Sequence, residues 1–257
     1  MSSQLKILAI HSLATHGVAS MKTVLSILGS RVLPVPSLYL TGLTNIPGHQ
    51  KFSLPFEAML RGSLELCRQA GDRLLLYVGY LGDEQQAAQL LACIQEYSEL
   101  IDHILVDPVS GDHGKLYVPA EVLASWPALL EQAAWALPNY TELQLLSGLP
   151  PGQNRAPEEY VQAFHNRFPH LSFVVTSFPF SAQQGIYLLH RGQSFCWQHE
   201  QLELNFGGTG DVFAATFIQQ HWLRQQDAQQ AVKAAAARCL LLLKHAHTKG
   251  LRQLEIE

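Results

Sequence analysis

The stretch Gly71-Asp-Arg-Leu-Leu-Leu-Tyr-Val-Gly-Tyr-Leu-Gly-Asp83 decides the fold. Leu74 to Val78 is almost uniformly apolar and of strand length, the signature of a strand buried on both faces. Before it, Pro55 to Ala70 reads as a helix with Pro at its start and Gly71 at its C-terminal cap. After it, Asp83 caps a second helix that runs to about Glu96. Helix, strand, helix is the repeating unit of a parallel sheet covered on both faces.

The same kind of apolar run recurs at Leu5 to Ile10, Val32 to Val35, Ile104 to Val106 and Phe173 to Thr176. Gly185 to Trp197, broken by Arg191-Gly192, alternates like an antiparallel hairpin, so the sheet is expected to be mixed toward its end. Asp211 to Arg224 and Asp227 to about Thr248 read as helices, the second with Ala231, Ala235, Cys239, Leu242 and Ala246 on one packing stripe. The segment Pro150 to Pro157 is the most loop-like. With no Pro/Gly/Ser-rich linker, residues 1–257 are expected to form one domain.

The composition narrows the function. Seventeen Lys and Arg against 21 Asp and Glu leave a formal net charge of -4. No dense basic run is available to neutralise phosphates, so nucleic acid is not an expected partner. Residues are 47% hydrophobic and 15% charged, which suits a globular core. The longest apolar runs, of which Cys239 to Leu243 is one, are far short of the roughly 20 residues that span a bilayer, so no membrane association is expected. Leu5 to Ile10 is shorter than a signal h-region and has no basic n-region before it, and Cys67, Cys93, Cys196 and Cys239 form no C-x-x-C pair. A cytoplasmic protein with free thiols is expected.

Three segments could carry chemistry. Asn205-Phe-Gly-Gly-Thr-Gly-Asp211-Val-Phe-Ala-Ala215 is a glycine-rich turn opening into a helix, where convergent amides and the helix dipole favour an anion such as phosphate. A carboxylate at that point, Asp211, either caps the helix or has work to do beside the phosphate. Asp107-Pro-Val-Ser-Gly-Asp112-His-Gly-Lys115 follows a strand end, where open α/β sheets bind ligands, so Asp107 and Asp112 are candidates for a metal or phosphate; a plain polar turn is the alternative. Asn139 and Glu142 are spaced i, i+3 on one helix face and could reach a hydrated Mg²⁺, or could simply form a capping box. Neither G-x-x-x-x-G-K-[ST], G-x-G-x-x-G nor G-x-S-x-G occurs. His199-Glu200-Gln-Leu-Glu203 has Glu in place of the second His of the zinc-protease motif H-E-x-x-H. An anion hole, a base and groups for Mg²⁺ are together what an ATP-dependent phosphoryl transfer needs.

These segments carry a resemblance. The chain resembles the pyridoxal kinases of the ribokinase-like superfamily from about Leu5 to the last helix. Gly208-Thr-Gly-Asp211 is similar to that family's G-T-G-D motif, Pro138-Asn-Tyr-Thr-Glu142-Leu to its P-N-x-x-E-L, Asp107 to Lys115 to its D-P-V-x-G-D-x-G-K, and Gly79-Tyr-Leu-Gly82 to its G-Y-L-G turn. Ile10-His-Ser12 is similar to the substrate-side start of these kinases.

The resemblance implies a three-layer α/β fold with a mostly parallel central sheet. It implies Asp211 as catalytic base, with Gly208, Thr209 and Gly210 in the anion hole. Asp107, Asp112, Asn139 and Thr176 fall on the ATP side, Glu142 and Asn139 on the metal side, and Ser12, Thr44 and Tyr80 in the substrate pocket. Implied with them are ATP, Mg²⁺, a monovalent cation, a homodimer, and pyridoxal, pyridoxine or pyridoxamine as acceptor. A hydroxymethylpyrimidine kinase is the nearest alternative, although Ser12-Leu-Ala-Thr-His-Gly17 stands where its relatives have a glycine-rich segment. A B6-binding protein without turnover is the other. Residues 40–52 depart from the family pattern, in the region that holds Thr44.

Overall fold

The computed structural model describes residues 5–150, 152, 155–181, 183–200, 206–251 and 253–256. Asn205, Glu203, Pro151, Gln153 and Asn154, which belong to segments singled out above, lie outside the described residues. In chain order the strands are β1 (Leu5–His16), β2 (Val32–Gly42), β3 (Lys51–Ser53), β4 (Arg73–Val78), β5 (Ile101–Val106), β6 (Gly111–Asp112), β7 (Lys115–Leu116), β8 (Trp135–Ala136), β9 (Ser172–Pro179), β10 (Gln184–His190) and β11 (Gln193–Gln198). The helices are α1 (Met21–Leu28), α2 (Phe56–Ala70), α3 (Gln85–Glu96), α4 (Ala120–Leu130), α5 (Tyr140–Leu146), α6 (Pro157–Arg167), α7 (Thr209–Ile218) and α8 (Ala228–Thr248).

Nine strands form one sheet in the order β11-β10-β9-β8-β5-β4-β1-β2-β3, and β6 and β7 make a separate small hairpin. From β9 to β2 every pairing is parallel, while β10, β11 and β3 join antiparallel at the edges. The mixed α/β sheet with a late hairpin is the architecture expected from the sequence. Side chains alternate across it. Leu8, Ile10, Leu74, Leu76, Val78 and Val106 face a core completed by α2 to α6. Ile7, Ala9, Leu75, Tyr77 and Leu105 face a core completed by α1, α7 and α8. Burying both faces explains why these strands are apolar throughout, each large aliphatic side chain contributing about 1.5–3 kcal/mol relative to exposure.

The helix ends follow their chemistry. Gly71 ends α2 in the left-handed region at φ 70°, and its N–H and the next bond back to Arg68 and Cys67 carbonyls. Asp83 Oδ1 accepts from Gln86 N at 3.1 Å, and Asp227 caps α8 by accepting from Gln230 N at 2.8 Å. The helix expected over Asp211 to Arg224 is instead α7 followed by a π turn, Gln219–Leu223. Along α8, Ala231, Ala235 and Ala246 are buried and Cys239 and Leu242 half-buried, as the stripe requires.

One feature of the sheet makes the site. β1 pairs with β4 only as far as Ile10, opposite Val78, and its pairing with β2 shifts register between His11 and Ser12. The chain turns one way from β1 to β2 and later returns to place β4 on the other side. That is a topological switch point, where the strands splay and a crevice opens at their carboxyl ends.

Candidate active site

Five loops converge on this crevice from the ends of β1, β4, β5, β8 and β9, and α7 points its N-terminus at it. Backbone bonds step them into register: Gly79 N donates to Ile10 O at 2.9 Å, Asp107 N to Val78 O at 2.8 Å, and Leu137 N to Val106 O at 2.9 Å. Thr176 N then donates to Pro138 O at 3.1 Å, and Thr176 bridges to Asn139 in parallel register.

Gly208 is the N-cap of α7 at φ 93°. A Cβ there would lie 3.1 Å from both Ala19 Cβ and Val18 O, so the turn requires glycine for its φ and for its packing against the β1–α1 connection. At Gly207 and Gly210 a Cβ would meet nothing within 4 Å. Packing does not require those two glycines. What they provide is exposed backbone at the positive end of a helix.

Asp211 sits three residues into this helix start and is nearly buried. Ser20 N donates to its Oδ2 at 2.6 Å, and His11 Nε2 lies 2.9 Å from its Oδ1. Ser20 holds φ 56°, a conformation that costs a non-glycine residue on the order of 1–3 kcal/mol, and its Oγ accepts from Ser12 Oγ at 3.0 Å. The strained residue therefore aims its amide at the carboxylate.

Asp107 is buried, and Tyr77 donates to its Oδ2 at 3.3 Å. Burial first, and the Asp211 charge second, push its carboxyl up to about 7. Glu142 is raised well above the carboxylate range by burial and then by Asp107, against the pull of the amides it accepts from.

The capping box on α5 is formed. Asn139 accepts from Glu142 N at 3.0 Å, and Glu142 Oε2 accepts from Asn139 N at 2.9 Å. Glu142 Oε1 also accepts from Ser110 N at 2.9 Å, and Asn139 Nδ2 donates to Gly111 O at 2.7 Å. Both side chains thus tie α5 to the loop after β5, and Glu142 is left with little lone-pair capacity for a cation.

The remaining candidates divide by position. Ser12 is buried beside Ser20, and Tyr80 packs half-buried between Ala14, Leu38, Leu40 and Leu43 and the larger core. Asp112 is exposed on β6, where it accepts from His113 N at 2.8 Å. Thr44 is exposed in the turn between β2 and β3, with no hydrogen bond to the other candidates among the described residues. His11 was not among the residues expected from the sequence, because a lone histidine at a strand end reads as structural. Tyr117, on the loop after β7 and within Coulombic reach of Glu142, Asp107, Asp112 and Asp211, was also missed.

For Mg²⁺ the donor chemistry fits a hard cation. Asp107 is a buried carboxyl whose raised proton affinity a nearby positive charge would relieve, and Asp112 is exposed; among the described residues no three such side chains are grouped around one point, which suits an ion that keeps most of its waters and leans on substrate phosphates.

The model for the phosphomethylpyrimidine kinase family matches residues 49–253. A pyridoxine/pyridoxal/pyridoxamine kinase of Bordetella pertussis is 28% identical over 243 residues, covering 88% of this chain and 83% of that one. Its counterpart in Bordetella avium is 30% identical over 221 residues, covering 79% and 71%. Among solved structures, pyridoxal kinase from Entamoeba histolytica superposes with a TM-score of 0.87 at 22% identity, over 100% of this chain and 93% of that one. Pyridoxal kinase from Leishmania donovani, in complex with ADP and pyridoxamine, gives 0.81 at 23% identity, over 98% and 92%. These two likenesses establish the fold.

Proposed function

The chain belongs to the phosphomethylpyrimidine kinase family, and on that premise we propose that it transfers the γ-phosphoryl group of MgATP to the hydroxymethyl group of pyridoxal, pyridoxine or pyridoxamine. The observation that carries this is the placement of Asp211 at the head of α7, beside a glycine turn with open backbone and across the crevice from Asp107.

Asp211 takes the hydroxyl proton as the oxygen attacks phosphorus. Amides of the Gly208, Thr209 and Gly210 turn, at the positive end of α7, receive the oxygens of the moving group. Phosphoryl transfer through a loose transition state depends mostly on placement and charge, so a carboxylate is base enough. Asp107 and Asp112 would hold Mg²⁺, with Glu142 reaching it through water, and the ion would neutralise phosphate charge. Asn139 and Thr176, side by side on the β8–β9 rim, lie on the nucleotide side. Ser12 and Tyr80 line the vitamin side, and Thr44 belongs with the turn that borders it.

Hydroxymethylpyrimidine kinase is the second reading, favoured by the name of the matching family, whereas the curated relatives named above favour B6. A steady-state assay with MgATP across the three vitamers and hydroxymethylpyrimidine tests both. The expected outcome is B6 5'-phosphate formation at a higher kcat/KM than pyrimidine phosphorylation. Turnover of the pyrimidine alone, or pyridoxal binding without product, overturns the proposal. Asp211→Asn should lower kcat by roughly 10² or more with a smaller change in KM.

A further inference from the structure

We propose that His11 is a positioning residue for the reaction: its Nε2–H orients the Asp211 carboxylate, and Gly79 is glycine in order to make room for that ring. The inference rests on the kinase reading above and adds a residue to its machinery.

Four observations carry it. His11 is 1% exposed, at the point where β1 leaves β4. Ser12 N donates to its Nδ1 at 3.0 Å, so the ring proton sits on Nε2, the nitrogen 2.9 Å from Asp211 Oδ1. Nε2 has no aligned hydrogen-bond partner among the described residues, so its N–H stands beside the carboxylate but off its axis. A buried donor without an aligned acceptor is unfavourable, and a small rotation of either group would align the pair. Catalytic hydrogen bonds tighten in this way once substrate is in place. Lastly, a Cβ on Gly79 would come within 2.6 Å of Nε2 and closer still to Cδ2. No other heavy atoms approach that position as closely as the imidazole does. Tyr77 packs edge-on to the ring with centroids 6.2 Å apart, supporting it from below.

The division of labour at Asp211 follows. Ser20 N–H holds Oδ2, and His11 Nε2–H, once aligned on Oδ1, fixes the plane of the carboxylate and leaves a second lone pair on each oxygen for the substrate hydroxyl. His11 cannot relay the proton onward, because Nε2 already carries one and Nδ1 is engaged by Ser12. Its contribution is orientation.

The test uses the full chain with MgATP and the vitamer that the wild type turns over. His11→Leu, which keeps the volume and removes the donor, should lower kcat about 10- to 100-fold with KM for the vitamer changed less than about threefold. His11→Gln, whose amide nitrogen reaches the Nε2 position, should recover most of that loss, while His11→Asn should not. Gly79→Ala, which displaces the ring with residue 11 unchanged, should reproduce the His11→Leu kinetics. Normal kcat in His11→Leu, or equal losses in the Gln and Leu variants, overturns the proposal and leaves the kinase reading standing. A readout independent of turnover is the imidazole ¹⁵N spectrum of the wild type and Asp211→Asn. The Nε2–H resonance of His11 should shift between them, and an unmoved resonance also overturns the proposal. If the wild type phosphorylates none of the acceptors, the kinase reading fails, and the claim that His11 orients Asp211 for this reaction fails with it, whatever the spectrum reports about the contact.

Discussion

Asp107 shows what a buried acid does to stability when its proton affinity is raised. Its carboxyl lies near 7 in the folded chain, against about 3.9 when unfolded, so the folded state holds a proton that the unfolded state has already released. The stability this contributes is complete below the unfolded value and is lost as pH rises toward 7. Asp107→Asn mimics the protonated form and still accepts from Tyr77. In EDTA, urea unfolding should find the variant more stable than the wild type by on the order of 1–3 kcal/mol at pH 8, with a smaller gain at pH 5. An equal gain at both pH values would sink the argument. Adding Mg²⁺ at pH 8 should stabilise the wild type more than the variant, since the cation relieves the same repulsion.

The start of α7 shows how one element divides its glycines between folding and chemistry. Gly208 sits at φ 93° against Ala19 and Val18, so Gly208→Ala should destabilise the fold by about 1–3 kcal/mol. Gly210 lies inside the helix with open space around its missing Cβ. There Gly210→Ala should keep or raise the melting temperature, alanine being the better helix former by about 1 kcal/mol. It should nevertheless lower kcat/KM for ATP, because the new methyl enters the space proposed for phosphate. Thermal melts paired with ATP kinetics check both, and full activity in Gly210→Ala would remove the turn from the anion hole. This element was legible in the sequence, since glycines before an apolar helical run and an acid at its first turn are local signals. Asn139 and Glu142 were legible only as an ambiguity, and the capping box uses hydrogen bonds that a metal reading would need. His11 was not legible. Its meaning comes from Gly79, 68 positions away in the chain, and only the parallel pairing of β1 with β4 joins the two. β8, two residues long, was missed because a strand that short carries no pattern, and β1 outran its expected end because its last six residues include polar ones.

At the scale of the whole molecule, the two ends of the sheet titrate in opposite senses. At the end away from the crevice, His190 stacks on Trp135, His221 packs with Trp135 and Phe217, and His221 adjoins Trp222, which lies beside His103. Burial first lowers the proton affinity of both histidines, and Arg191 lowers each further. A histidine depressed in the folded state contributes stability that is complete above its unfolded value, about 6.5, and is lost as pH falls below it. Asp107 contributes with the opposite slope between about 4 and 7. Across pH 5 to 7 Asp107 and the histidines therefore oppose each other in the wild type, with Glu142, also raised, on the Asp107 side. Asp107→Asn should make stability fall with pH less steeply than in the wild type over this range, Glu142 retaining a slope of the same sign. His221→Phe should be less stable throughout, having lost the bond from Nδ1 to Gln226 O, and should show stability that falls with pH more steeply than the wild type. Because the two groups share no contact, the slopes should add in the double variant. Urea unfolding at pH 5, 6 and 7 for the four proteins measures this, and parallel curves would show that neither end of the sheet sets the pH dependence.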